Sequence, residues 1–426
     1  FNGCESELAT DAANCGACGN ACAAGERCMG STCVPSQILS LNGGVAFQCA
    51  LRDTGEAWCF GSDQEGHMGQ NRAFAVRSTY VSAASDRVVA MSDSTFSTNG
   101  HGCLITERTD GGRDMVCFGH DQSGQLGIGY VQFSGSIDTA TPIVPAVDAM
   151  VDDWVQVDTD GGNFTIALTA SGDVWTWGYN GNNYAGRLGR DTGYADDPTP
   201  GLVTLLPGPA VDVAGGPIAG CAVLADGRVY CWGGIGSTGS QSATGGGSSD
   251  TSGFTPQPVR TIVGGVEVDL DDVVEVDLHD TGGCARQSAA AGGGVYCWGE
   301  DAIGNGATSS GLATRVSTVA ASTSLSCGTR ACCATAGTNV LCWGNNDQGQ
   351  LGRGVISASE PVADFVVLES GANLSGVVEV SAASTSFCAR TTDQRVVCWG
   401  NGGHQIGSED YTDRPHAGAP TYVTGI

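Results

Sequence analysis

The chain has 426 residues, 67 of them glycine, and 45 acids against 18 bases give a net charge of −27. All 18 bases are arginine, which excludes lysine Schiff-base chemistry and a Walker A phosphate loop. An excess of acid this large lacks the cationic footprint that displaces counterions from nucleic acid. No apolar run approaches the 18 residues of a membrane-spanning helix, while a 41% hydrophobic content suffices to bury a core.

Six of the 20 cysteines, Cys4, Cys15, Cys18, Cys22, Cys28 and Cys33, crowd the start of the chain, where Leu8 and Met29 are almost the only large apolar residues between them. Residues 1–34 therefore read as a small module held by three disulfides, with 15 connectivities open. A zinc site beginning at Cys15-x2-Cys18 is outweighed by the absence of a nearby histidine. The run NCGACGNAC (14–22) resembles small cysteine-rich modules of secreted and surface proteins in myxobacteria and related deltaproteobacteria. An even and high cysteine count implies an oxidising compartment. With Phe1 first and no basic or apolar leader, the chain reads as a mature secreted form whose signal has been removed.

Beyond residue 35 an aromatic-glycine pair recurs, ending at Gly61, Gly119, Gly178, Gly233, Gly299, Gly344 and Gly400. The mean interval of 56.5 residues makes seven units, the mark of a solenoid or propeller. Each unit carries a hairpin. In Cys221-Ala-Val-Leu-Ala-Asp-Gly-Arg-Val-Tyr-Cys231, a three-residue loop with Gly227 left-handed makes Leu224 face Arg228 and Cys221 face Cys231. The same arithmetic pairs Cys49 with Cys59, Cys103 with Cys117, Cys284 with Cys297 and Cys388 with Cys398. Cys333 pairs with Cys342 across a two-residue Gly337-Thr338 turn. Directly opposed strand residues lie within disulfide reach. The third unit holds Ile166 and Thr176 at these positions, and this paired loss argues for staples rather than metal ligands. Cys327 and Cys332 remain and close a small loop with each other.

After the aromatic-glycine pair come loops such as DQEGHMG from Asp63, DQSGQLG from Asp121 and DQGQLG from Asp347, then a segment with Pro142, Pro258 or Pro361, then a Val-rich strand. This order resembles the repeats of the regulator of chromosome condensation family. The pattern C-A-L…D-G-x-V-x-C-W-G-x-N-x-x-G-Q-L-G recurs in the fourth, sixth and seventh units, with departures in the last loop or the hairpin length. The resemblance implies an all-β, seven-bladed β-propeller over residues 35–426, with cross-strand disulfides, preceded by the disulfide-rich module of residues 1–34. The closing segment Pro420–Ile426 matches the Pro-Val strand, which the first unit lacks on entering at Gln37. The two ends are therefore expected to complete one blade together, leaving no exposed sheet edge.

Phe60, Phe118, Trp177, Trp232, Trp298, Trp343 and Trp399 share one repeat position and read as inter-blade packing. The run Glu267–Asp277 alternates acid and aliphatic residues about Asp271-Asp272, as two half-exposed strands around a turn. Asp158-Thr-Asp160-Gly-Gly-Asn163 has calcium-like spacing but no downstream glutamate, and reads as a solvated turn. No cofactor is expected. The six histidines fall in loops of different repeats without a nucleophile or metal spacing, so no catalytic residue is assigned.

Three long loops follow the aromatic-glycine position and should emerge on one face. Residues 120–141 carry Tyr130 and Phe133; residues 179–201 carry Tyr179, Tyr184, Arg187 and Tyr194; residues 234–256 form a Gly/Ser/Thr tract. Tyr and Arg among Gly, Asn and Ser make a binding surface, and these six residues are its candidates. The eukaryotic family includes a nucleotide-exchange factor acting on a small GTPase at chromatin, a role ill suited to a stapled, acidic chain. Secreted bacterial members, among them a propeller that inhibits β-lactamases through one face, are a better match. The expectation is a secreted or cell-surface, bacterial, non-catalytic scaffold that binds an extracellular protein through its loops. The alternatives are a self-assembling subunit of a surface layer or fibre, and a carbohydrate-binding module. The acid excess is read as a solubility adaptation to saline surroundings.

Overall fold

The computed structural model describes residues 8–23, 26–44, 47–61, 75–80, 87–93, 100–132, 136–145, 151–159, 163–180, 186–193, 195–233, 244–247 and 253–401. Near the N-terminus, strands Glu26–Met29 and Thr32–Pro35 form a hairpin about Gly30-Ser31, both with positive φ. Cys28 and Cys33 lie directly opposite each other in it. They are nevertheless bonded elsewhere, Cys28 to Cys15 and Cys33 to Cys22, so the hairpin is tied to the loop that precedes it.

The rest is a seven-bladed β-propeller. Each blade is an antiparallel meander whose strands follow one another in sequence from the axis outward. The innermost strands are Ile38–Gly43, Arg87–Asp93, Trp154–Asp158, Ala210–Gly215, Val273–His279, Leu325–Gly328 and Val377–Ala383. The Val-rich strand of each repeat thus lies at the axis, and the proline-bearing strand, such as Gly253–Pro258, lies at the rim. Blade 5 is widened to six strands, because the hairpin Arg260–Val263/Val266–Asp269 adds to its outer strand Ser309–Arg315.

This order corrects the expectation that the first unit lacks a strand. The four described strands of blade 1 come from one continuous stretch, 38–80. A unit begins with its inner strand, so the first unit is complete at its axial edge. The ring closes where the inner strand of blade 7 meets that of blade 1, with the Leu41 amide donating to Glu379 at 3.0 Å. Three strands of blade 7 are described, and the expected Pro420–Ile426 strand lies outside the described residues.

The hairpins follow from their turn residues. In blade 4 the Leu224 amide donates to Arg228 O at 2.8 Å and Gly227 has φ of +86°, a value that costs glycine nothing. Cys221 therefore opposes Cys231. Disulfides 49–59, 103–117, 221–231, 284–297, 333–342 and 388–398 staple the second and third strands of six blades. Ile166 faces Thr176 at the same register in blade 3. Cys327–Cys332 joins the first and second strands of blade 6.

Blades are welded by the aromatic ring. Trp177, Trp232, Trp298, Trp343 and Trp399 are all buried, as are Phe60 and Phe118. Four of the indoles donate to a carbonyl in the loop of the preceding blade: Trp177 to Gln125, Trp232 to Arg187, Trp343 to Ala302 and Trp399 to Gln350, at 2.8–3.0 Å. The glycine ending each Gln-Leu-Gly loop lies against the next blade's ring. A Cβ on Gly127 would come within 2.7 Å of the Trp177 nitrogen, so the repeat's Leu-Gly is a consequence of this contact. The glycine of the aromatic-glycine pair is equally constrained: Gly344 has φ of +105°, and a Cβ there would meet Arg330 O at 2.3 Å.

Candidate functional site: the loop face and the axial channel

In a four-strand meander the first-to-second and third-to-fourth connections emerge at the same end. The long loops after the aromatic-glycine pairs therefore share one face of the disc. Several are folded around a single buried side chain. In blade 3, Asn180 Oδ1 accepts the amides of Gly186 and Leu188 at 3.2 Å each, while its Nδ2 donates to Thr192 Oγ1 at 2.8 Å. Asn346 does the same in blade 6, accepting from Leu351 and donating to Val355 O and Ser357 Oγ. Blade 2 has Asp121 at this place, accepting from Leu126 at 3.0 Å and Gln132 at 3.2 Å. Burial pushes its carboxyl up to about 6 despite those two donors.

Among the candidate binding residues, Tyr130 stands out from its loop and is 57% exposed. Tyr179 is half-buried, and the Arg187 guanidinium lies 5.0 Å from the centre of its ring. Arg187 itself is only 7% exposed, with its carbonyl taken by Trp232. Its place is beneath the surface, backing Tyr179, rather than free in solvent. Phe133, Tyr184 and Tyr194 lie outside the described residues, as does most of the Gly/Ser/Thr tract.

The axis holds a feature that the sequence reading missed. A channel of about 330 Å³ is lined by two tiers of polar side chains from the inner strands, including Gln156, Asp212, Glu275, Ser324 and Glu379 in one tier and Ser92, Asp158 and Asp277 in the other. Each blade's innermost strand has an unpaired edge, and its amides need acceptors. The preceding blade supplies them. Asp212 accepts Val276 N at 2.8 Å, Glu275 accepts Leu325 N at 3.4 Å, Ser324 accepts Val380 N at 3.1 Å and Glu379 accepts Leu41 N at 3.0 Å. In the second tier Ser92 accepts Thr159 N, Asp158 accepts Gly215 N, Asp277 accepts Cys327 N and Ser326 accepts Ala382 N, at 2.8–3.0 Å. A carboxylate suits this task because it only accepts.

Gathering these acids at the axis raises their affinity for protons. Burial, reinforced by Glu275, pushes Asp212 up to about 7. Burial also raises Asp277, Glu275 and Glu379, although Arg286 pairs with Glu275 and Arg390 pairs with Glu379 at 2.7 Å. Two expectations change accordingly. Asp158 lies on the channel wall with an oxygen on Gly215 N, not in a solvated turn, and residues 160–162 of the calcium-like run lie outside the described residues. Glu275 and Asp277, read as half-exposed, are inter-blade acceptors. The signal was present: Gln156, Asp212, Glu275 and Glu379 occupy one register position, each the residue after the shift in its blade's inner pairing. Among the described residues, no helix is long and apolar enough to cross a membrane.

Residues 154–183, spanning the first three strands of blade 3, match the model of the regulator of chromosome condensation (RCC1) repeat. The chain is 34% identical over 132 residues to the regulator of chromosome condensation of Drosophila melanogaster, covering 30% of this chain and 22% of that protein. It is 28% identical over 255 residues to the human E3 ubiquitin-protein ligase HERC2, covering 56% of this chain and 5% of that one. The chain thus spans well under a third of the length of these relatives. Among solved structures, Kap60 bound to yeast RCC1 (Prp20) matches with a TM-score of 0.66 at 15% identity, over 90% of this chain and 84% of that one. Human WBSCR16 matches at 0.63 with 19% identity, over 82% and 85%. The structure of Prp20p from Saccharomyces cerevisiae, described with its binding properties to Gsp1p and histones, matches at 0.62 with 16% identity, over 82% and 80%. Fold and repeat together define a seven-bladed propeller. Its third blade carries a match to the regulator of chromosome condensation repeat.

Proposed function

We propose that this chain is a non-catalytic recognition propeller that binds a protein partner outside the cell or at its surface, through the loops of one face. One observation carries the reading: a rigid, stapled ring presents loops that are individually anchored by buried Asp121 and Asn180 yet expose aromatic residues such as Tyr130. Pre-ordered loops lose little entropy on binding, and exposed tyrosines supply contact area. The protein-binding properties described for Prp20p support the coarser part of the reading. A full set of disulfides, with no free cysteine among the described residues, supports an oxidising location.

The test is capture from the native culture fluid and cell surface by immobilised full-length chain. It is repeated with Tyr130, Tyr179, Tyr184 and Tyr194 replaced by alanine, alone and together. The combined variant should lose partner capture by more than about tenfold, as expected when aromatic anchors are truncated. Undiminished capture by a folded combined variant would remove the loop face from consideration.

A further inference from the structure

Blade 6 differs from every other blade in one respect: two adjacent cysteines, Cys332 and Cys333, occupy its second strand. Successive residues of a strand point to opposite faces. Cys333 accordingly packs with Cys342 against blade 7, in the cluster that contains Phe387 and Trp399. Cys332 turns the other way, joining Cys327 in the cluster shared with Cys284 and Cys297 of blade 5. Two disulfides from neighbouring blades, 284–297 and 327–332, therefore meet at one buried point. Cys284 Sγ lies 3.6 Å from Cys332 Sγ, in van der Waals contact. All four cysteines are fully buried.

The geometry points to a thiol–disulfide exchange centre between blades 5 and 6, in which the bond passes from within the blades to a Cys284–Cys332 bridge across them. When the 284–297 bond is opened by a two-electron thiol or phosphine reductant, Cys284 thiolate attacks Cys332. The new 284–332 bond forms as the 327–332 bond breaks, and Cys327 leaves as thiolate and takes up a proton. One disulfide has been reduced overall, Cys297 and Cys327 end as thiols, and the surviving bond ties the second strand of blade 5 to the second strand of blade 6. The reverse sequence begins with Cys332 after reduction of 327–332, and it ends at the same bridge. Exchange needs a thiolate beside a disulfide sulfur. Among the described residues of the propeller this is the one pair of staples whose sulfurs are seen to meet; in the N-terminal module the sulfurs of Cys15, Cys22 and Cys33 also lie within 4.8 Å of one another. Partial reduction would then tighten the seam between two blades instead of loosening one hairpin.

Two variants test this without any reductant. In Cys297→Ser, Cys284 is left as a thiol facing the 327–332 bond; in Cys327→Ser, Cys332 is left facing the 284–297 bond. Each purified variant is held folded at pH 8 for a day, acid-quenched, alkylated in denaturant and mapped by mass spectrometry. Exchange should place the free thiol on Cys327 in the first variant and on Cys297 in the second, in roughly a tenth or more of the chains, with the same Cys284–Cys332 peptide in both. The bonds 333–342 and 388–398 should remain intact. Free thiol confined to Cys284 and Cys332 respectively would overturn the proposal, as would scrambling that involves Cys333 or Cys388. Should either variant fail to fold, the wild-type chain titrated with limiting phosphine gives the same answer. The 284–332 peptide should be the first new link, and its absence while 284–297 is being reduced would refute the exchange.

Discussion

Asp212 lies where the seam between blades 4 and 5 depends on one carboxyl. One oxygen accepts Val276 N at 2.8 Å and the other accepts Gln156 Nε2 at 2.9 Å, while Glu275 and Asp158 add negative charge nearby. Its affinity for a proton rises from an unfolded value of 3.8 to about 7. The folded chain thus holds a proton that the unfolded chain releases, and the associated stability is complete below about pH 4 and lost as pH climbs through 7. About three units at about 1.4 kcal/mol each amount to roughly 4 kcal/mol between pH 4 and pH 8. The substitution Asp212→Asn keeps an acceptor for Val276 but removes the charge. It should cost about 1 kcal/mol at pH 4, where the second acceptor oxygen is missed, and should stabilise at pH 8. For a propeller of this size the unfolding entropy is about 0.8 kcal/mol/K, so the drop in midpoint from pH 4.5 to pH 8 should shrink by roughly 5 °C in the variant. Scanning calorimetry of both proteins across that range reads it directly. Parallel pH profiles, or a wild-type midpoint that rises with pH, would refute the assignment of Asp212 as a buried acceptor in an acid cluster.

Blade 3 should accept the staple it lacks. Ile166→Cys with Thr176→Cys places two thiols at the register used in the other blades, and intact mass should show a new bond. Its gain will fall short of the usual 2–3 kcal/mol, because Thr176 Oγ1 now donates to Leu188 O and accepts from Arg190. Trp343→Ala removes a fully buried indole together with its bond to Ala302 O, and should lower stability by about 3–5 kcal/mol in denaturant titrations. A loss under about 1 kcal/mol would contradict the view that the aromatic ring welds the blades.

The period, the blade count and the hairpin registers are legible in the sequence because they rest on local chemistry. Gly227 needs a left-handed backbone, and the number of residues in the turn then decides which cysteines face each other. The same argument explains why Ile166 and Thr176 are opposed. What escapes a sequence reading is everything that depends on which strand edge is left unpaired. Glu275 and Asp277 alternate with valine and leucine, a pattern equally suited to a solvated face and to a channel wall. Only the order of strands from axis to rim distinguishes them. The first unit is misjudged as lacking a strand for the same reason, since the sequence pattern starts the repeat at the proline strand and the fold starts it at the valine strand. Arg187 shows the limit for side chains: composition groups it with the tyrosines, yet it lies beneath Tyr179, because the loop carbonyl it carries is needed by Trp232 of the next blade.

The most direct test of the account is hydrogen–deuterium exchange on the chain bound to the partner it captures. Protection should arise in the loops at 120–141 and 179–201, with the amides along the channel, from Leu41 to Val380, unchanged. Protection confined to the channel, or to the opposite face where the Cys221–Cys231 hairpin turns at Asp226-Gly227, would contradict recognition through the loop face.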